Sequence, residues 1–79
     1  MALTEKDIDE AIDGYRRIIA SLQRRLEEFE SGRTTIRTRH GSEVQFTDIT
    51  PLEIERIKRD ILSYERARSI LCEKTGRRP

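Results

Sequence analysis

The chain has 79 residues, of which 34% are hydrophobic and 39% are charged, and its 16 Lys and Arg nearly balance 15 Asp and Glu to leave a net charge of +1. This length predicts a single domain over residues 1–79 whose small core would be stabilised by contacts with a partner. The near-neutral charge argues against a generic nucleic-acid binder, because such proteins usually carry a clear basic excess.

The first predicted element is a helix over residues 5–30. Thr4, followed three residues later by Asp7, resembles a capping box with Asp in place of the usual Glu. Apolar residues then recur at alternating steps of four and three, which is the a/d seam of an amphipathic helix. The seam consists of Ile8, Ile12, Tyr15, Ile19, Leu22, Leu26 and Phe29. Ser31-Gly32 is predicted to end the helix, because glycine readily adopts the left-handed conformation of a C-terminal cap.

A β-hairpin is predicted over residues 33–47, where the apolar period changes to two. A three-residue loop, Arg39-His40-Gly41, keeps the apolar side chains on one face and pairs Ile36 with Val44. That face consists of Thr34, Ile36, Thr38, Val44 and Phe46. Because a lone two-stranded ribbon is marginal in water, we expect this face to pack on the helices and the opposite, polar face to remain exposed.

A second helix is predicted over residues 51–74. Thr50 serves as its N-cap, Pro51 takes the first helical position and Glu53 completes a capping box. The apolar seam continues along this helix, is interrupted at Arg68 and resumes. Its apolar members are Ile54, Ile57, Ile61, Tyr64 and Leu71. Residues 75–79 are predicted to form a short, loose basic tail.

Together these elements predict an α+β, mainly helical fold in which two antiparallel amphipathic helices are joined by a two-stranded β-hairpin. The predicted core consists of Ile12, Tyr15, Ile19, Leu22, Ile36, Val44, Phe46, Ile57, Ile61 and Tyr64. The short connection favours pairing of the two helices within one chain. The alternative is a coiled-coil interaction module whose helices pair between chains, since the first helix has the longer seam.

The residues required for catalysis or metal binding do not occur together in the sequence. His40 and Cys72 are the only His and Cys, whereas a structural zinc site takes four such ligands. A lone histidine at a hairpin tip has no group to orient it as a catalytic base. A glycine-rich phosphate loop is also missing. We therefore expect no enzymatic activity, no cofactor, no metal and no small-molecule substrate.

The cysteine count and the hydropathy pattern indicate the cellular compartment in which the protein resides. With Cys72 as the only cysteine, no internal disulfide can form, which fits a reducing cytosol. The N-terminal residues carry acids and no apolar export signal, and no apolar run reaches the length of about 20 residues that crosses a bilayer. The sequence thus predicts a soluble protein that is neither exported nor bound to a membrane.

Positive charge is concentrated in two places. The hairpin carries Arg33, Arg37, Arg39 and His40, and the C-terminal region carries Lys74, Arg77 and Arg78. We interpret the hairpin group as a contact surface for phosphates or for an acidic protein. The alternative is that Glu43 neutralises Arg37 across the strands while the other charges are simply hydrated. For the C-terminal group, a basic terminus without a function is the favoured interpretation.

A capped helix is followed by Gly32-Arg33, a basic hairpin that turns at Arg39-His40-Gly41, a strand at Val44-Gln45-Phe46-Thr47 and a second capped helix. This succession resembles the W-type head–tail joining, or head completion, protein family of bacteriophage lambda. The likeness runs from Leu22 to Tyr64 and is strongest between residues 32 and 50.

The resemblance implies an adaptor that binds the phage portal ring after DNA packaging and provides a platform for later joining proteins or the tail. It also implies a monomer in solution, a ring of many copies on the portal, and a location at the head–tail junction of the virion, with assembly in the host cytoplasm. The first helix is longer than in the lambda protein. A short basic end replaces the apolar C-terminal tail of the family, so the docking role of that tail is not carried over.

On this interpretation, Arg37, Arg39 and His40 face the portal or the DNA channel, where basic groups contact phosphates without reading the base sequence. These residues are chosen from their charge and expected exposure, because no functional residue is carried over from the family by identity. The competing hypothesis is a small nucleic-acid-binding or regulatory protein that uses the same basic hairpin.

Overall fold

A computed structural model describes residues 4–39, 41–42 and 45–78 of the chain. Its elements are helix α1 (Glu5–Glu30), strand β1 (Arg37–Thr38), strand β2 (Thr47–Asp48) and helix α2 (Thr50–Lys74), and the two strands form an antiparallel pair. The mainly helical helix-hairpin-helix architecture predicted from the sequence is confirmed.

The helices make the molecule long and thin, with extents of 55 × 28 × 15 Å and a radius of gyration of 17.5 Å. A compact chain of this length would have a radius of gyration of about 12 Å. In the described part of the chain, neither helix is long and apolar enough to span a membrane.

The start of α1 is stabilised by the predicted capping box. The Thr4 hydroxyl accepts a hydrogen bond from the Asp7 amide at 3.1 Å, and the Asp7 carboxylate accepts one from the Thr4 amide at 3.3 Å. At the other end, Ser31 is the C-cap and Gly32 adopts the left-handed conformation with φ of 79°. Both ends of α1 therefore follow from local sequence signals.

The two helices pack against each other in antiparallel directions. In the middle of the pair, the rings of Tyr15 and Tyr64 lie with their centroids 6.2 Å apart. Nearer to the hairpin, the Arg25 guanidinium lies 4.0 Å from the Glu53 carboxylate. The side chains that this packing buries are Ile12, Ile19, Phe29, Ile57 and Cys72. The core is thus a narrow strip along the shared face of the two helices.

Most of the predicted core residues lie on or beside this strip. Tyr15, Leu22, Ile36, Ile61 and Tyr64 are half-buried. Phe46 is 59% exposed, so its assignment to the core is wrong. Val44 lies outside the described residues. Two residues missing from the predicted core set, Phe29 and Cys72, are buried instead.

The predicted register of the hairpin is also wrong. Arg37 lies opposite Asp48, and Thr38 lies opposite Thr47, so residues 39–46 form the connection in place of a three-residue loop. In the predicted register Arg37 would pair with Glu43. The second strand is shifted from that register by an odd number of residues, so each of its side chains lies on the opposite face of the ribbon from the one predicted. This change of face is the reason why Phe46 does not face the helices.

Hydrogen bonds to the start of α2 select the observed register. The Ile36 carbonyl accepts a bond from the Ile49 amide at 2.9 Å, and the Ile36 amide donates to the Thr50 hydroxyl at 2.9 Å. The prediction assumed that apolar burial would decide the pairing. The polar backbone of Ile36 decides it instead, because a buried amide or carbonyl without a partner is costly.

The cap of α2 differs from the prediction as well. Thr50 is the first helical residue, Ile49 occupies the N-cap position without a side-chain bond, and Pro51 lies in the first turn. The cap is supplied by Asp48, whose carboxylate accepts a bond from the Thr50 amide at 2.9 Å. Thr50 is only 7% exposed and uses its hydroxyl to hold the hairpin.

The C-terminal segment is not the predicted loose tail. Gly76 adopts the left-handed conformation with φ of 70°, and the Arg77 amide donates to the Cys72 carbonyl at 2.8 Å, which forms a Schellman cap on α2. The Arg77 guanidinium then reaches the start of α1, where its Nε donates to the Asp9 carboxylate at 2.7 Å. This contact ties the two chain ends together.

We predict that Thr50→Val lowers the free energy of unfolding by about 1–3 kcal/mol, because valine can neither accept the Ile36 amide bond nor donate to Asp48. Equilibrium unfolding in urea measures this change. The matched control is Thr35→Val, at an exposed threonine of the connecting segment. Equal stability of the two variants would show that the Thr50 hydroxyl does not hold the hairpin.

Candidate functional site

An exposed arginine and an exposed aromatic ring lie together where the strands end. The Arg39 guanidinium lies 5.1 Å from the centroid of the Phe46 ring. Arg39 follows Thr38 and Phe46 precedes Thr47, so the two residues lie next to the last cross-strand pair and face each other. A cation over a ring at an exposed site contributes about 0.5–1 kcal/mol. This contact holds Phe46 at the surface beside a positive charge.

Arg37 lies on β1, two residues before Arg39, and is also exposed. Its cross-strand neighbour is Asp48, so the neutralising partner considered in the sequence, Glu43, is not the one in the described ladder. We call Arg37, Arg39 and Phe46 the hairpin surface. Its charge is partly balanced by Asp48, which lies opposite Arg37 at one edge.

Asp48 positions this surface on the helix pair. Its pKa lies below the ordinary value of 3.8, first because the Thr50 hydroxyl donates to the carboxylate, then because the Thr50 amide donates to it, and also because the Arg37 charge attracts it. All three effects favour the ionised carboxylate. An anion at a helix N-terminus is further favoured by the helix dipole. Asp48 thus links β2, Arg37 and the start of α2.

The other predicted hairpin residues are placed differently. Arg33 turns back to the end of α1, where its Nε donates to the Ser31 hydroxyl at 3.0 Å and its guanidinium lies 3.5 Å from the Glu27 carboxylate. It is therefore engaged with its own helix and does not join Arg39. His40 lies outside the described residues.

The C-terminal basic group lies at the opposite end of the molecule from the hairpin, since the helices are antiparallel. Arg77 is only 25% exposed in its side chain and is bound to Asp9. Lys74 and Arg78 are exposed. The structure therefore does not combine the two predicted basic groups into one surface. Arg77 is no longer a candidate contact residue, because its guanidinium is bound to Asp9 within the domain.

Sequence reasoning missed three features of this region: the exposure of Phe46, the cap supplied by Asp48 and the buried position of Thr50. The signal for the cap was present, because an Asp two residues before a threonine is a common turn-forming arrangement at a helix start. Phe46 gave no such signal, since an aromatic residue in an alternating strand usually faces a core.

The hairpin surface offers charge and an aromatic ring but no group arranged for bond-making chemistry. Within residues 4–39, 41–42 and 45–78, no set of three or more His, Cys, Asp and Glu side chains is grouped to hold a metal ion. What the arrangement can do is present a cation and an apolar ring together to another molecule.

Comparison of the chain with protein-family models, with curated proteins and with solved structures found no match. The resemblance to the head–tail joining family therefore depends on the order of motifs in the sequence.

The lowered pKa of Asp48 predicts that the stability of the fold depends on pH. Because its pKa is lowered in the folded chain, its contribution is present above the ordinary value of 3.8 and is lost as the pH falls through the lowered folded value. We expect Asp48→Asn to melt at a lower temperature than the wild type at pH 7 and to approach the wild type below pH 3.8.

Thermal melts followed by circular dichroism between pH 7 and pH 2 measure this difference. Asp60→Asn, which removes an exposed carboxylate from the middle of α2, reports the general effect of losing one negative charge. A constant difference between Asp48→Asn and wild type across the whole range would refute the role assigned to the ionised carboxylate.

Proposed function

We propose that the chain is a structural phage assembly protein, a head-completion or head–tail joining adaptor that binds the portal ring after DNA packaging. It then offers a platform for a later joining protein or the tail. The observation that carries the proposal is the hairpin surface, in which the exposed Phe46 ring lies under the Arg39 guanidinium at one end of a rod-shaped domain.

The composition of the hairpin surface suits a protein partner. Aromatic residues and arginine are enriched at the centres of protein interfaces, where they contribute most of the binding energy. Phe46 is 59% exposed, so much of its ring is available for burial by a partner. The net charge of +1 gives little long-range attraction to nucleic acid, which makes a duplex the less suitable partner.

The shape of the domain also supports an adaptor. The hairpin and the joined chain ends lie at opposite ends of a molecule 55 Å long, so two partners can be bound without competing for one surface. We assign the portal to the hairpin end. The exposed Lys74 and Arg78 lie at the other end, where the later joining or tail protein would bind.

The proposal includes a monomer in solution that forms a ring only on the portal. A narrow core gives a marginal domain, and binding to a preformed template adds stability without requiring strong self-association. Arg37 and Arg39 would also allow non-specific contact with packaged DNA through its phosphates. The protein would then reside at the head–tail junction of the virion after assembly in the host cytoplasm.

The position of the gene is a direct test. A gene located beside portal and capsid genes supports virion assembly. A gene located among regulatory genes, with no structural genes nearby, favours the competing nucleic-acid-binding hypothesis.

We predict that Arg39→Glu combined with Phe46→Ser leaves the domain folded but weakens binding to portal rings by at least about tenfold, because hot-spot contacts of this type are worth about 2 kcal/mol or more. Co-sedimentation with purified portal rings and the yield of infectious particles measure the effect. Arg37 is left unchanged, because a glutamate there would oppose Asp48.

The control is Arg17→Glu with Ile18→Ser, which changes an exposed arginine and a partly exposed apolar residue on α1. It should bind portal rings and complete particles like the wild type. Unimpaired portal binding by the hairpin variant would contradict the proposed role of this surface. Salt-dependent binding of the free chain to duplex DNA, with no affinity for portal rings, would favour the nucleic-acid hypothesis.

A further inference from the structure

Helix α2 has a second stripe, made of exposed apolar residues alternating with charged ones, on the side that faces away from α1. Leu52 is 71% exposed, Leu62 is 50% exposed and Ile70 is 52% exposed. Between them lie the exposed side chains of Glu55, Arg59 and Arg66. We call these six residues the outer seam. They fall within about 80° of one another on a helical wheel, so they form one continuous strip.

The outer seam has the spacing of a helix-packing surface. From Leu52 to Arg66 its residues follow one another at alternating steps of three and four, which is the spacing of a and d positions in a coiled coil. Leu52 and Leu62 supply apolar side chains at these positions, and Glu55, Arg59 and Arg66 supply charged ones. The buried residues of α2, Ile57 and Cys72, lie on the opposite side of the helix. Helix α1 therefore cannot cover the outer seam, and another helix of suitable spacing would have to do so.

We propose that the outer seam binds a second copy of this chain, with the two α2 helices antiparallel about a twofold axis. In an antiparallel pair, each a position packs against a d position of the other helix. Applied to this seam, that rule places Glu55 opposite Arg66 of the second copy. It also places Arg59 opposite Leu62 of the second copy, where the aliphatic stem of the arginine covers the leucine.

The ends of the seam complement each other as well. In this register Leu52 comes opposite Ser69 of the second copy and next to its Ile70, so the two most separated apolar residues of the strip lie beside each other. Twofold symmetry produces every contact twice. The interface thus contains two oppositely charged pairs of Glu55 with Arg66, and two apolar pairs of Leu52 with Ile70.

The charges exclude the parallel alternative. A parallel, in-register pair would place Glu55 against Glu55, Arg59 against Arg59 and Arg66 against Arg66. Like charges at seam positions disfavour association. In the antiparallel pair, Glu55 and Arg66 attract each other, and Arg59 lies against the apolar Leu62. For a second copy, this difference favours the antiparallel orientation over the parallel one.

The interface is short. Leu52 and Ile70 are separated by five helical turns, about 27 Å, which gives an area at the low end for specific complexes. We therefore expect a weak dimer that dissociates on dilution. This pairing goes beyond the proposed function and does not depend on it, because it concerns α2 and leaves the hairpin surface free. The monomer that binds the portal is the dissociated species of this weak equilibrium and predominates at low concentration.

Sedimentation velocity over protein concentrations from about 10 to 500 µM, the range in which small interfaces associate, tests the proposal. The wild-type mass should rise from that of a monomer to that of a dimer. Glu55→Arg and Arg66→Glu should each weaken dimerisation by about tenfold or more, because each replaces two attractive contacts with two repulsive ones. The double variant Glu55→Arg with Arg66→Glu should restore dimerisation, since the pairing is then reversed in sign.

Folding of the variants is checked by circular dichroism. The Glu55 carboxylate lies 3.9 Å from Lys58 in an exposed pair of the kind that contributes little to stability. Glu10→Arg, an exposed charge reversal on α1, is the matched control and should dimerise like the wild type. A monomer at all concentrations overturns the proposal, and so does a dimer that Glu55→Arg leaves intact or that the double variant fails to restore. None of these outcomes affects portal binding through the hairpin.

Discussion

The buried hydroxyl of Thr50 is the contact on which the arrangement of this small domain depends. It accepts the Ile36 amide at the end of the first connection and donates to Asp48 at the end of the second strand. In this way one side chain joins the hairpin to the beginning of α2. The strands themselves are only two residues long and have little pairing of their own. Without this polar junction, the hairpin surface would have no defined direction relative to the helices.

The sequence was a good guide where the determining signals are local. The bounds and cap of α1 follow from Thr4, Asp7 and the heptad spacing, because capping and amphipathic periodicity act within a few residues. The hairpin register could not be obtained in this way. The predicted register required Phe46 to be buried, whereas the observed register depends on the hydrogen bond between the Ile36 amide and the hydroxyl of Thr50, 14 residues away. Competition between apolar burial and polar satisfaction is decided only in the folded chain.

The candidate site was predictable in part for the same reason. Exposure of Arg37 and Arg39 follows from their position in a charged hairpin, but the contact of Arg39 with Phe46 requires the observed register. The role of Arg77 depends on Asp9, 68 residues earlier in the chain, and no local pattern relates the two. Placement of the two basic groups at opposite ends is likewise a property of the antiparallel helix pair. The resulting domain has distinct surfaces at its two ends and along α2.

The hydrogen bond between Arg77 and Asp9 also has a use in protein engineering. Residues near both ends of the chain are neighbours in space, and the hairpin lies at the far end of the rod. A short glycine-rich linker from the end of α2 to the start of α1 would therefore have only a small distance to span, and new ends could be opened between β1 and β2, as in a circular permutant. Immobilisation through a residue near the Arg77–Asp9 contact would likewise orient every molecule with its hairpin toward the solution.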